Sequence, residues 1–197
     1  MPRKDQTNAL RIRVMEVALD HFSEAGIEHA SVSRILAGAE CSIGSLYHHF
    51  GSKEGIAEAL LISGVKKFNT RLLATLLPEK TAKTGIKAIV TFCCGWVTNQ
   101  SKLAAFLMSH KVILSGSSNS ERRKMDREFN QAIYEWFVPH VKCAKLSQLP
   151  TSLYMPLICG PALEYSRLWL SGRCDQAPDD VSAVFAEAAW QSVKKEG

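Results

Sequence analysis

Apolar residues return every three to four positions along almost the whole chain. Nowhere does an apolar/polar alternation bounded by turn residues run long enough to mark a strand. The spacing predicts an all-α fold of about nine helices. Ile12, Met15, Leu19 and Phe22 form the buried stripe expected of a first helix, which Gly26 ends as a left-handed cap with Ile27 as its hydrophobic partner. Ser31 is placed to N-cap a short second helix carrying Val32, Ile35 and Leu36. "AGAEC" then supplies a tight turn, and Ser42 caps a short third helix with Leu46 and Phe50 on one face. Ser52 opens a long fourth helix in which Ile56, Leu60, Phe68, Leu72 and Leu76 follow a spacing of four until Pro78 stops it.

Further helices are expected near Thr84–Val97, Lys102–Leu114, Ser120–Val141, Thr151–Ser171 and Pro178–Lys194. Pro156 and Pro161 fall inside the penultimate helix and predict a bend there, because each removes a ladder hydrogen bond. The chain therefore divides into a helix-turn-helix head, residues 1–52, and a larger helical body, residues 53–197, with no internal repeat.

A length of 197 residues is enough for a substantial core without covalent staples. The start, "MPRKDQTNALRIRV", is polar and no apolar segment of a secretory signal follows it, so the six cysteines are expected as reduced thiols in a cytoplasmic protein. Apolar stretches are broken well short of a membrane span, and no membrane association is expected. The net charge is +5, yet residues 1–55 carry −1 and the rest +6. Bulk charge thus does not mark the head as a polyanion-binding module, and any such reading rests on local arrangement.

The segment "SIGSLYHHFGSKEG", Ser42 to Gly55, gathers hydroxyls, two histidines, a tyrosine, a lysine and glycines. His48 and His49 are adjacent, so their rings diverge, unlike metal-binding pairs at i, i+4, and no metal is expected. Cys93 and Cys94, with His110 downstream, invite a metal or redox reading, but vicinal cysteines chelate one ion poorly and no activating cation is near in sequence. Paired carboxylates, a nucleophile–base motif and a phosphate loop are all missing, which argues against an enzyme and against any cofactor. "ERRK" at 121–124 reads as a solvated helix start, with contact to an acidic surface as the alternative.

Two short helices joined by a tight turn make a helix-turn-helix pattern. The run starting "GIEHASVSRILAGAECSIGSLYHHFGSKEG" resembles the N-terminal domain of TetR-family transcriptional regulators over roughly forty-five residues, through Phe22 and Gly26, "SVSRILAGA", "GSLYHHF" and "SKEG". Cys41 departs from the small aliphatic residue usual in the family.

The resemblance implies that the third helix enters a DNA major groove, where Gly44 permits close approach. Ser45, Tyr47 and Lys53 match the family's phosphate contacts. Ser33, Arg34, Ile43, Gly44 and His48 are base-facing candidates, and Ser31, Ser42 and His49 complete the DNA-facing set. Core packing competes for Ile43, which is spaced with Leu46 and Phe50. A packing role competes for Tyr47, and a plain solvated charge for Arg34.

The resemblance also implies a homodimer through the last two helices and a pseudo-palindromic double-stranded operator. It further implies a small-molecule pocket in the body. Phe92, Cys93, Trp96, Met108, Tyr134 and Trp136 are its candidates, with ordinary core packing as the competing reading, and such a lining suits a hydrophobic, aromatic or cationic effector. The expected function is a repressor released from DNA by that effector. The alternatives are a thiol-redox or partner-controlled regulator of the same fold, and an all-helical enzyme.

Overall fold

The computed structural model describes residues 3–110 and 120–195. Among them stand nine helices: α1 Arg3–His29, α2 Val32–Ala39, α3 Ile43–Phe50, α4 Lys53–Leu76, α5 Ala82–Asn99, α6 Ser101–Ser109, α7 Ser120–Lys142, α8 Thr151–Leu170 and α9 Ser182–Val193. The only extended pairing among the described residues is an isolated antiparallel bridge between Leu146 and Lys194. None of these helices is long and apolar enough to cross a membrane. The end of the expected Lys102–Leu114 helix and the following "SGSSN" lie outside the described residues.

The helices sort into two compact units, Met1–Val65 with Lys102–Ser118, and Lys66–Ser101 with Asn119–Gly197. The expected division after residue 52 sets α1, α2 and α3 apart. By packing, the first unit also takes the first half of α4 and all of α6 except Ser101.

In the first unit the buried row of α1 is Val14, Ala18 and Phe22, whereas Ile12 is 45% exposed. This corrects the expected stripe by part of a turn: several apolar residues share α1, and the neighbours decide which face is covered. One neighbour is α6, whose Phe106 stacks on Phe22 at 5.9 Å and 13°. Gly64 of α4 admits Leu103 and Leu107 of α6, where an added Cβ would lie 3.0 Å from Leu107 Cδ2. Gly26 does break α1, with φ 75° and ψ 166°. That is the mirror-extended region open essentially to glycine rather than a left-handed helical cap.

In the second unit α5 is central and packs on both α8 and α9, which also pack on each other. Its core joins Leu72 and Leu76 of α4 to Ile86, Ile89 and Val90 of α5, Trp136 and Phe137 of α7, Ile158 of α8 and Val193 of α9. Thr81, not Thr84, opens α5: its hydroxyl accepts from the Thr84 N–H at 3.1 Å. Trp136 packs against a glycine, since a Cβ on Gly85 would come within 2.1 Å of the indole, and its Nε1–H donates to the Glu79 carbonyl at 3.1 Å. Helix α8 continues from Thr151 to Leu170 with Pro156 and Pro161 inside it rather than ending at either. At the start of α7, "ERRK" forms i, i+4 ion pairs, Arg122 with Asp126 and Lys124 with Glu128.

Candidate nucleic-acid interface

The helix-turn-helix is built from local hydrogen bonds that the sequence dictates. Ser31 Oγ accepts from the Arg34 N–H at 3.4 Å and caps α2, while Ser42 Oγ accepts from the Ser45 N–H at 3.2 Å and caps α3. Between them Glu40 takes the left-handed conformation, φ 51° and ψ 46°, and the Glu40 and Cys41 amides bond back to the Ala37 and Leu36 carbonyls. Gly38 of "AGAEC" therefore serves packing rather than the turn: a Cβ there would sit 2.8 Å from Val17 Cγ1 of α1.

Helix α3 is anchored by one side and presented by the other. Leu46 is buried, and Arg11 of α1 lies 5.5 Å over the ring of Phe50. Ile43, Gly44, Tyr47 and His48 all face outward, with Ile43 59% and Tyr47 50% exposed. The structure thus decides against core packing for Ile43. Gly44 has nothing within 4 Å of the position a Cβ would occupy. The His48 and His49 rings meet edge to face at 5.0 Å, and among the described residues no group of three metal-ligating side chains converges.

Glycines also set the junction with α4. Gly51 ends α3 at φ 73°, Ser52 Oγ accepts from the Gly55 N–H at 3.1 Å, and a Cβ on Gly55 would fall 1.9 Å from the Phe50 carbonyl oxygen. Lys53 in the first turn of α4 sends its ammonium to the Glu28 and Ala30 carbonyls, the latter at 3.3 Å. Ser33 and Arg34 are exposed on α2, and Ser31 Oγ and Ser33 Oγ lie 2.8 Å apart. Ser45 and His49 are partly covered beside them on α3, and Ser42 is exposed. Helix α3 itself carries no acidic residue, although residues 1–55 have a net charge of −1.

Comparison with known proteins meets this geometry at the same residues. The family model "Bacterial regulatory proteins, tetR family" matches residues 14–60, which hold the helix-turn-helix and the start of α4. Residues 14–60 are thus similar to the DNA-binding domain of that family. Over 56 residues the chain is 43% identical to the HTH-type transcriptional repressor KstR2 of Mycobacterium tuberculosis, a match to 28% of this chain and 28% of that protein. The chain thus spans little more than a quarter of the length of the curated relatives it matches first. Structural likeness is longer and shows the fold. A TetR-family transcription regulator from Marinobacter aquaeolei superposes with a TM-score of 0.80 at 15% identity, over 98% of this chain and 100% of that one. FadR from Bacillus subtilis, solved in complex with stearoyl-CoA, gives 0.72 at 18% identity, over 92% of this chain and 98% of that one.

The second unit distributes the residues expected around an effector. Phe92 and Trp96 come together with Phe68, their ring centroids 5.3 to 6.0 Å apart. Cys93 lies in the core with its Sγ 4.0 Å from Cys159 Sγ, Trp136 fills core space against Gly85, and Tyr134 points outward from α7. Met108 belongs to the first unit. Bonding to Cys159 and burial hold the Cys93 thiol well above its ordinary range, and burial pushes Cys94 up to about 11. Sequence reasoning missed Arg11 on Phe50 and the steric roles of Gly38 and Gly55. The glycines were visible inside "AGA" and "SKEG", whereas the Arg11 contact carried no sequence signal.

Proposed function

We propose that the chain is a homodimeric DNA-binding transcriptional regulator, a repressor that leaves its operator when a small organic molecule occupies the second unit. The observation that carries the reading is Gly44. Glycine is a poorer helix former than alanine, and at Gly44, in the first turn of α3, nothing of its own chain needs the space above it. A close-approaching surface outside the chain does need it, and the flanking Ile43, Tyr47 and His48 suit a major groove and its phosphates.

Dimerisation is supported by the outer faces of α8 and α9, where Leu153, Leu157 and Val184 are exposed, Val184 at 70%. An apolar effector is supported by the Phe68–Phe92–Trp96 cluster and by the stearoyl-CoA bound to the FadR neighbour. Within the first unit α6 touches α1 and α4, so displacing α6 moves the elements that carry the recognition helix. A coupling of about 1–3 kcal/mol, roughly 5- to 150-fold in operator affinity, suffices for regulation.

The test is Gly44→Val with duplex fragments selected from genomic DNA by the wild-type protein. The variant keeps its melting temperature, since valine is the better helix former and meets no clash, but no longer retards those fragments in a gel. Retardation equal to wild type, or a wild-type protein that selects no duplex, defeats the proposal.

A further inference from the structure

Two cations of α4 converge on one indole of α5. Lys67 Nζ lies 6.0 Å from the Trp96 ring centroid, and Arg71 Cζ lies 5.8 Å from the same centroid. They stand one helical turn apart, an i, i+4 arrangement in which like charges repel. Among the described residues neither is ion-paired with a carboxylate. Lys67 is instead steadied by the side-chain oxygen of Gln100, the C-cap of α5, at 3.4 Å. Both side chains are exposed, while Trp96 beneath them is buried. The indole face is thus already served by the protein's own cations. A cationic ligand has nothing to gain there, and an anionic one finds two donors held in place.

This pair lies a turn or more beyond the residues that line a groove. An open depression of about 590 Å³ runs between the end of α4 and the outer face of α5, lined by Thr75, Glu79, Thr84, Lys87, Ala88, Thr91 and Phe92. Thr75 is one turn beyond Arg71 on α4, and Phe92 is one turn before Trp96 on α5, so the cations continue the same two helix faces. Lys87, the cation within the groove, is neutralised by Glu187 of α9. Among the residues lining the groove no cation is therefore left unpaired, and past its Phe92 end stand Lys67 and Arg71.

We propose that this groove binds an elongated organic oxyanion. Its phosphate or carboxylate sits between Lys67 and Arg71, and its apolar body lies along Phe92 and Ala88. The inference rests on the effector reading above and gives the effector's chemical class, an apolar body with an anionic head in place of the cationic option.

Isothermal titration calorimetry on the full chain tests it with octyl phosphate, octanoate and uncharged octanol, all below their aggregation limits. Wild type binds one or both anions at least about tenfold more tightly than octanol, the size expected of hydrogen bonds to charged groups. The phosphate and carboxylate arms show which head is preferred. Lys67→Gln combined with Arg71→Gln brings the anions down to the octanol level and leaves octanol unchanged. Ala88→Trp, which fills the groove floor, weakens all three, and circular dichroism confirms that each variant is folded. Absence of binding, equal binding of octanol and the anions by wild type, or full anion affinity in the double variant overturns the proposal. Retention of the same samples on duplex DNA keeps the two readings separate. Wild type that holds DNA but ignores the anions sinks the groove alone, and wild type that binds the anions but not DNA sinks the regulator alone.

Discussion

Lys53, in the first turn of α4, donates through its ammonium to the main-chain carbonyl of Glu28 in the last turn of α1. A second donation reaches Ala30, so one side chain satisfies carbonyls that the end of α1 leaves without helical partners. An ammonium has three donors, which leaves one for a phosphate oxygen.

Lys53→Ala accordingly has two separable effects. Loss of the bonds to Glu28 and Ala30 costs about 1 kcal/mol, because the partners are partly solvated, and this registers in chemical denaturation. Loss of the phosphate contact weakens binding to all duplexes alike and flattens the salt dependence of affinity by about one unit. An unchanged salt slope with lowered stability would assign Lys53 to the α1–α4 junction alone.

Gly55 tests the recognition helix from behind. With a Cβ 1.9 Å from the Phe50 carbonyl, Gly55→Ala forces α3 and α4 apart at backbone that cannot yield as a flexible side chain does. We expect a loss of about 2 kcal/mol, within the range of overpacked sites, together with loss of DNA binding. Amide exchange then quickens in α3 and the start of α4 but not in α5, α8 and α9. Uniform quickening throughout the chain would show that the junction does not act locally.

The outer faces of α8 and α9 predict assembly. Leu157→Glu with Val184→Glu places charge on side chains already exposed in one subunit, so the fold persists while an apolar interface is lost. Sedimentation should shift from dimer to monomer and duplex affinity should fall with it, because a two-fold site is then read one half at a time. A wild-type protein that sediments as a monomer rules out the homodimer.

The thiols divide by burial. Cys143 is exposed, whereas Cys93, Cys94 and Cys159 are buried and Cys93 and Cys94 are held protonated. Iodoacetamide at pH 8 therefore labels Cys143 first and reaches the buried three only on unfolding. Because the folded Cys94 thiol titrates near 11 against an ordinary 9.0, the folded state holds its proton longer than the unfolded chain. Its contribution to stability is complete below about pH 9 and is lost as pH rises through about 11, a decline that Cys94→Ala should flatten. DNA binding abolished by mild peroxide and restored by a thiol reductant would favour the redox alternative instead.

What was legible in the sequence is what neighbours along the chain decide. Ser31, Ser42 and Ser52 cap their helices because each hydroxyl meets an amide three residues on, and α4 stops at Leu76 because proline at 78 cannot continue a helix. The family resemblance lay in the same run, "SVSRILAGA" to "SKEG", where local signals and the shared motif coincide.

Tertiary packing decided the rest. Whether Ile43 was core or surface depended on which side of α3 the rest of the head covers, and Ile12 lost its expected burial to Val14 and Ala18 for the same reason. Phe22 on Phe106, and Lys67 and Arg71 on Trp96, join residues far apart in the chain. Periodicity states that a side chain belongs to an apolar or polar face. It carries no information about which distant face arrives to meet it, since that choice is made by the burial and shape of the assembled helices together.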